Sequence, residues 1–207
     1  MQAPQGSEEW KKQRLGKFTA SEISRLIFKK GSLTQGAKTY VMEKVMEVIT
    51  GIPAKDFSND AMDRGNELEP DAKQLYEFST GRWVADCGFI ELDADTGGSP
   101  DGLIDSDGVA EVKCPKLTIH YGYGTIQSDD GFEQKNKEYY WQMMHNMLCT
   151  NRKWCDFISY NPDAPHRLFI YRLNRNEAQI ELLKSCLKAA IEYKKKMLAI
   201  LAKQPKY

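Results

Sequence analysis

The chain has 207 residues, of which 41% are hydrophobic and 28% are charged, and this composition is ordinary for a soluble globular protein. Its 29 basic and 29 acidic side chains cancel, so it lacks the overall positive charge of many nucleic-acid-binding proteins, although local positive patches can still bind nucleic acid. No apolar run is long enough to span a membrane, residues 1–9 hold no hydrophobic signal region, and the five cysteines form no Cys-X-X-Cys pair. We therefore predict a single domain over residues 1–207, with free thiols in a reducing cytoplasm.

Helices predominate among the predicted elements of the first half of the chain. In chain order these elements are short helical pieces at 7–15 and 19–28, a polar loop at 31–36, helices at 37–50 and 60–80, and strands at 83–86 and 88–92. Thr19 or Ser21 is the predicted cap of the second helical piece. Gly51 and Gly81 are predicted to end the two longer helices.

The second half of the chain mixes strands with helices. Its predicted elements are a β-hairpin at 100–115, a loop at 116–134, a helix at 137–150, strands at 154–160 and 167–173, and a long helix that begins at Asn176. Ile180, Leu183 and Leu187 recur at helical spacing, which makes the C-terminal helix amphipathic. The order of elements predicts an α/β domain with a small mixed central β-sheet flanked by helices.

The predicted hairpin holds two carboxylates and a lysine. Residues 105–108 read Asp-Ser-Asp-Gly, which is a turn sequence. Alternation along the second strand places Glu111 and Lys113 on one face, and Asp101, near the start of the first strand, can oppose Glu111. Two interpretations stay open: an ordinary solvated strand face, or a cation site, because carboxylates held this close repel each other unless a cation lies between them.

The second interpretation has a defined chemistry. Hard oxygen ligands without a neighbouring histidine favour Mg²⁺ or Mn²⁺ over zinc. Lys113 beside such a site is suited to orient or deprotonate a water molecule that attacks a phosphodiester. The Gly-Gly-Ser-Pro loop at 97–100 precedes Asp101, and such tight loops present backbone amides and a hydroxyl group to an anion.

Pro100-Asp101 followed by Glu111-Val112-Lys113 resembles the PD-(D/E)XK motif of the restriction-endonuclease-like nuclease superfamily. The longer string over residues 99–115 resembles more narrowly the phage lambda exonuclease family, also called the YqaJ-like viral recombinase family. Three further blocks resemble motifs of that family in the same order, namely residues 10–16 with 19–22, residues 65–72 and residues 139–144. The four blocks are together far more specific than the short nuclease motif.

The resemblance implies a restriction-endonuclease-like core, a long C-terminal helix and an active site with two Mg²⁺ ions, for which Mn²⁺ can substitute. The implied metal ligands are Asp101, Glu111, the carbonyl group of Val112, and Glu69. Lys113 then serves the attacking water, and Gln142 positions Lys113 or the scissile phosphate. Without the resemblance, Glu69 is part of a charged first helical turn, and Gln142 is a solvated helix residue.

The resemblance also implies a pocket for a 5′ phosphate. Its residues are Arg14, Thr19, Ser21 and Ser99, and an arginine with hydroxyl groups is suited to clamp a terminal phosphate. Without the resemblance, Arg14 is a surface residue and Ser21 a helix cap.

The function that the resemblance implies is a 5′→3′ exonuclease, which digests one strand of linear duplex DNA to mononucleotides and leaves 3′ overhangs for recombination. Members of the family form a homotrimer ring that threads duplex DNA, and they work with a single-strand annealing protein. The expected location is the cytoplasm of a bacterial host that carries a phage or prophage.

Two other functions stay open at this point. An endonuclease of the same superfamily would share Asp101, Glu111 and Lys113 but would need no pocket for a 5′ phosphate. A Cas4-like nuclease is a special case, against which the lack of a cysteine cluster counts. The second alternative is a non-catalytic DNA-binding module with a decayed nuclease fold, and the intact Asp, Glu and Lys count against it.

Overall fold

The computed structural model describes residues 3–28, 33–54 and 60–205. The α-helices of this part of the chain are α1 (Glu8–Arg14), α2 (Gln35–Thr50), α3 (Asp60–Thr80), α4 (Leu117–Tyr123), α5 (Asp129–Lys135), α6 (Lys137–Thr150) and α7 (Glu177–Leu201), and a 3₁₀ helix spans Ala20–Leu26. The strands are β1 (Phe18–Thr19), β2 (Val84–Ala85), β3 (Ile90–Glu91), β4 (Thr96–Gly98), β5 (Gly102–Ile104), β6 (Gly108–Lys113), β7 (Trp154–Tyr160) and β8 (Leu168–Asn174). The predicted α/β fold class is confirmed.

The larger sheet contains five strands in the order β2-β5-β6-β7-β8, in which only the β6–β7 pair is parallel. Strands β5 and β6 form the predicted hairpin, and Asp105 adopts a φ of 46° in its turn. Gly102 pairs with Ala110, and the backbone amide of Asp101 donates to the carbonyl oxygen of Ala110 at 3.2 Å, so Asp101 lies beside Glu111 at the mouth of the hairpin. Nζ of Lys113 lies near the carboxylates of both residues, so the two acidic side chains come close together as expected.

Helices cover both faces of this sheet. On one face Val109 and Phe157 pack with Met144 of α6 in the larger hydrophobic core, and on the other face Ala110 and Val112 pack with Tyr76 of α3. Full burial of a Val, Met or Phe side chain contributes roughly 1.5–3 kcal/mol. Because side chains alternate along β6, this packing directs Glu111 towards α6.

A second sheet of three strands, in the order β1-β4-β3, was not predicted. Strand β4 runs parallel to β1, with Phe18 opposite Thr96, and antiparallel to β3. The sequence of β4 is too short and too rich in glycine to show an alternating pattern. A Cβ atom on Gly98 would lie 2.5 Å from Oδ1 of Asn146, so a glycine lets β4 approach α6 closely. The sheet therefore joins the N-terminal segment to the residues before Asp101.

The predicted loop at 116–134 and the predicted side-chain cap of the second helical piece are wrong. The predicted loop at 116–134 contains helices α4 and α5, because Phe132 is buried 5.1 Å from the ring of Phe157 and tertiary packing outweighs the loop-like composition. The second helical piece is a 3₁₀ helix, and Thr19 precedes it without a capping hydrogen bond from its side chain. The hydroxyl groups of Thr19 and Ser21 accept hydrogen bonds from Arg14 instead.

The long C-terminal helix is confirmed as α7. The side chain of Asn176 caps it by accepting hydrogen bonds from the backbone amides of Ala178 and Gln179, and Ile180 and Leu183 are buried. No helix among the described residues is long and apolar enough to cross a membrane. The predicted loop at 31–36 lies partly outside the described residues, and the single domain over 1–207 stays a prediction.

Candidate active site

The catalytic triplet predicted from the hairpin comes together at the end of β6. Glu111 is completely buried, and Nζ of Lys113 donates a hydrogen bond to its Oε1 atom. The same ammonium group lies 3.0 Å from the carbonyl oxygen of Val112 and 3.8 Å from Oδ2 of Asp101. That Asp101 oxygen accepts a hydrogen bond of 2.7 Å from the backbone amide of Val112, which fixes the carboxylate beside the strand.

Helix α6 supplies two amide side chains to the buried carboxylate. Nε2 of Gln142 donates to Oε1 of Glu111 at 2.6 Å, and Nδ2 of Asn146 donates to Oε2 at 3.3 Å. The two residues are one helical turn apart, so they reach the same partner. Gln142 therefore lies in the predicted site. Asn146 was missed, although a polar residue between the apolar pairs of α6 was an available signal.

The charges of the site are crowded. Burial raises the pKa of Glu111 from 4.5 to about 8, and the charge of Asp101 adds to this shift while Lys113 opposes it. Burial also raises the pKa of Glu69, again with a contribution from Asp101. Burial lowers the pKa of Lys113, but the charges of Glu111 and Asp101 outweigh it and leave that pKa above its ordinary value. The carboxylates thus repel one another and favour a cation among them.

Glu69 lies on α3, at the margin of the cluster. Its carboxylate pairs with Lys73 at 2.7 Å, and Lys73 also contacts Asp86 at 2.8 Å. In this arrangement no group of three or more Asp, Glu, His or Cys side chains within residues 3–28, 33–54 and 60–205 is placed to hold a metal ion. Glu69 would have to exchange Lys73 for a metal ion to act as the predicted ligand.

The four residues predicted to bind a 5′ phosphate form a second cluster. Arg14 is buried, and its Nη1 atom lies 3.3 Å from Oγ of Ser99. Its Nη2 atom lies 3.4 Å from the hydroxyl oxygen of Thr19 and 3.5 Å from that of Ser21. Burial lowers the pKa of Arg14 to about 10, opposed by nearby acidic groups. Because only Pro100 separates Ser99 from Asp101, this cluster adjoins the carboxylates.

Trp10 completes this second cluster, and the prediction did not include it as a site residue. Its indole N–H donates to Oγ of Ser99 at 2.9 Å, and the guanidinium of Arg14 lies 4.1 Å from the centre of its ring. The signal was available, since Trp10 precedes Arg14 by one helical turn in α1. Trp10 therefore fixes both the arginine and the serine.

Comparison with known protein families identifies the chain. The YqaJ-like viral recombinase domain matches residues 9–153, which include all four motif blocks. The chain belongs to the YqaJ-like viral recombinase family. No curated protein sequence matches the chain. The family predicted from the motifs is therefore confirmed.

Solved structures resemble this YqaJ-family protein over nearly its whole length. The alkaline exonuclease LHK-Exo from Laribacter hongkongensis is 33% identical with a TM-score of 0.80, and the match covers 95% of this chain and 96% of that chain. The same exonuclease in complex with dAMP matches with a TM-score of 0.79, at 33% identity and with 94% and 96% coverage. A phage-related exonuclease from Haemophilus somnus 129PT shares the fold at 19% identity, with a TM-score of 0.75 and 89% and 96% coverage. The predicted nuclease core is confirmed by this likeness.

The donor groups of the YqaJ-family site fit a hard divalent cation. Glu111, Asp101 and the Val112 carbonyl offer oxygen atoms only, which Mg²⁺ and Mn²⁺ prefer. The positively charged ammonium group of Lys113 already contacts all three residues, which shows that the cluster attracts positive charge. The two metal ions and their ligands stay predictions.

Proposed function

We propose that this protein is a metal-dependent 5′→3′ exonuclease that digests one strand of linear double-stranded DNA from 5′-phosphorylated ends to mononucleotides. The remaining strand would form 3′ overhangs for recombination by strand annealing. The family and the likeness to alkaline exonucleases support a DNA exonuclease. The observation that carries the finer proposal is the buried Arg14 cluster, which the residues 99–101 connect directly to the carboxylates.

In the proposed cleavage, some residues of the hairpin would bind metal ions and another would act on the attacking water. Asp101, Glu111, the Val112 carbonyl and Glu69 would hold two Mg²⁺ ions, with Mn²⁺ as a substitute. Bound divalent ions supply positive charge that stabilises the attacking and leaving oxygens. As an ammonium group, Lys113 would orient the attacking water and lower the pKa of that water.

Gln142 acts on the same centre from α6. Its hydrogen bond of 2.6 Å holds Oε1 of Glu111, the oxygen to which Lys113 also donates. Gln142 thereby positions Lys113 through their shared acceptor on Glu111. The sequence left open whether Gln142 positions Lys113 or the scissile phosphate, and this contact favours the former.

The Arg14 cluster would select the chain end. A terminal 5′ phosphate carries more negative charge than an internal phosphodiester, and an arginine can bind two of its oxygens at once. Burial strengthens this attraction because the low dielectric screens charges less than water does. The hydroxyl groups of Thr19, Ser21 and Ser99, which now accept hydrogen bonds from Arg14, can turn to donate to the phosphate.

Family membership supports the proposed oligomeric state, protein partner and location. A homotrimer ring would enclose duplex DNA, and a single-strand annealing protein would load on the overhang. The protein would act in the cytoplasm of a bacterial host as a phage or prophage product. Local fields at the site, and not the net charge of zero, would then attract the DNA.

Digestion of matched DNA substrates tests the function. Linear duplex with 5′ phosphate ends is expected to yield mononucleotides and a single complementary strand in the presence of Mg²⁺. Covalently closed circular duplex of the same sequence is expected to survive, because it offers no terminal phosphate. Equal cleavage of the circle would favour the alternative function, an endonuclease of the same superfamily. No cleavage of either substrate would favour the non-catalytic module.

Arg14→Ala is expected to slow digestion of 5′-phosphorylated ends by about 10- to 100-fold, since a hydrogen bond to a charged group is worth roughly 1.5–3 kcal/mol. Digestion of 5′-hydroxyl ends should change much less, because the arginine acts on the terminal phosphate charge. Initial rates on both substrates check this. Lys12→Ala, which removes an exposed charge from the same helix, is the control. An equal loss on both kinds of end would show that the phosphate pocket lies elsewhere.

A further inference from the structure

Gly16 is held at both ends of its backbone by buried charged side chains. Its amide N–H donates to Oε2 of Glu47 on α2 at 2.8 Å, and its carbonyl accepts from Nζ of Lys194 on α7 at 2.6 Å. Both side chains are buried, with 3% and 4% of their residue surface exposed. A Cβ atom on Gly16 would lie 2.5 Å from the side chain of Val48, and the φ of +73° also favours glycine. The turn at Gly16 is therefore tightly determined.

Each of the two charged side chains also has a partner of opposite charge, which is the buried Lys44 for Glu47 and the half-buried Asp95 for Lys194. Nζ of Lys44 lies 2.9 and 3.1 Å from the two carboxylate oxygens of Glu47. Nζ of Lys194 lies 2.7 Å from Oδ1 of Asp95. These four side chains balance in charge and join α2 and α7 to two loops, and the exposed Lys195 lies 3.9 Å from the other carboxylate oxygen of Asp95. We name this group of Lys44, Glu47, Asp95 and Lys194 the charge network.

Stability alone does not account for such a network. Removing charges from water is expensive, and well-packed apolar residues of similar volume are often as stabilising as a buried ion pair. What a buried ion pair does provide is a fixed geometry, because its groups tolerate only a few arrangements. The network therefore matters through the backbone segments that it holds in place.

That backbone carries the Arg14 cluster. Gly16 lies between Arg14 and Thr19 in the chain, and Asp95 precedes Ser99 on the segment that forms β4. The carbonyl oxygen of Asp95 also accepts the backbone N–H of Phe18 at 2.9 Å. Lys194 thus bridges the two chain segments whose side chains converge on the guanidinium.

We propose that Glu47 and Lys194 are positioning residues of the 5′-phosphate pocket. They set the spacing between Arg14 and Ser99 through the Gly16 turn and the Asp95 loop, and they touch neither the substrate nor the reacting atoms. The inference rests on the proposed function, since it assigns the network to the pocket of that exonuclease. The charge of Glu47 also reaches Arg14 and favours the protonated form of its guanidinium, since it raises the pKa that burial lowers.

Lys194→Met removes the charge while keeping most of the side-chain volume. We expect the ratio of kcat/KM on 5′-phosphorylated duplex to kcat/KM on 5′-hydroxyl duplex to fall about tenfold, the effect of losing the alignment of one charged hydrogen bond. The loss should lie mainly in KM for the phosphorylated end, with kcat nearly unchanged. Lys196→Met, an exposed position on the same helix, removes an equal charge and should keep the wild-type ratio. Thermal unfolding of each variant establishes that it is folded.

Glu47→Gln provides a second variant if Lys194→Met does not fold. It keeps an oxygen for the amide of Gly16 and loses the charge that faces Lys44 and Arg14, so the ratio should fall in the same direction. A folded variant that loses rate equally on both ends, or keeps the wild-type ratio, would overturn the inference and leave the proposed function intact. A wild-type protein without preference for phosphorylated ends would instead overturn the proposed pocket, and the inference with it.

Discussion

Lys113→Ala is expected to lower the rate of DNA cleavage at least several hundredfold, within the range of about 10²–10⁴ for the loss of a positioned acid–base group. The reason is that Lys113 is the ammonium group in contact with Glu111, Asp101 and the carbonyl of Val112. Single-turnover digestion of 5′-phosphorylated duplex with Mg²⁺ measures the effect. DNA binding, measured separately by fluorescence anisotropy, should change little.

Lys116→Ala is the matched control for this experiment. Lys116 is an exposed lysine three residues further along the chain, so its loss changes the net charge equally. The thermal unfolding of the variants and the wild type is best compared with divalent metal present. In Lys113→Ala, Glu111 no longer has the ammonium group beside it, and a bound metal ion would supply a positive charge in its place. Near-wild-type turnover in folded Lys113→Ala would remove Lys113 from the reaction.

Glu111→Gln and Asp101→Asn are each expected to lose tight binding of divalent metal and, with it, nearly all cleavage. Both substitutions keep the size of the side chain and an oxygen acceptor, but each removes a negative charge from the proposed ligand set. In the wild type, metal at 100 times its Kd should stabilise the fold by about 2.7 kcal/mol, and this gain should shrink in both variants. Calorimetric titration with Mn²⁺ gives affinity and stoichiometry directly.

The metal-free stability of Glu111→Gln offers an independent measurement. Because the pKa of Glu111 is raised from 4.5 to about 8, its favourable contribution is present below pH 4.5 and is lost as the pH rises through about 8. At pH 9 with a chelator, Glu111→Gln should therefore unfold at the same temperature as the wild type or at a higher one. Wild-type Mn²⁺ affinity in both variants would exclude Asp101 and Glu111 as ligands.

The catalytic hairpin was predictable because its geometry is local. A two-residue period and a turn sequence were enough to place Asp101 beside Glu111, and both carboxylates lie near Nζ of Lys113. Whether the face that carries Glu111 is buried was not predictable, because the alternating pattern of a strand does not say which of its two faces packs against a helix. Here α6 covers that face, so a carboxylate that also fits a solvated strand is completely buried.

The Arg14 cluster could not be derived from the residues alone. Arg14 and Ser99 are 85 residues apart in the chain, and no periodic pattern connects them. Only the resemblance to a family grouped them, and the second sheet that brings them together was not predicted. Only β3 falls within a predicted strand, at 88–92; β1 and β4, of two and three residues, are too short for a periodic signal, and glycines in β4 weaken any preference for a strand.

The sequence by itself determined the family, the hairpin with its proposed catalytic residues, and the long amphipathic helices, because these depend on short-range order along the chain. The tertiary structure alone decided that Asn146 holds Glu111, that Trp10 supports Arg14, and that Lys194 joins Gly16 to Asp95. Each of these contacts requires elements distant in the chain to pack at one distance and one orientation. Polar side chains recur at no regular spacing that would identify their partners. Their contacts can therefore be seen only in the folded structure.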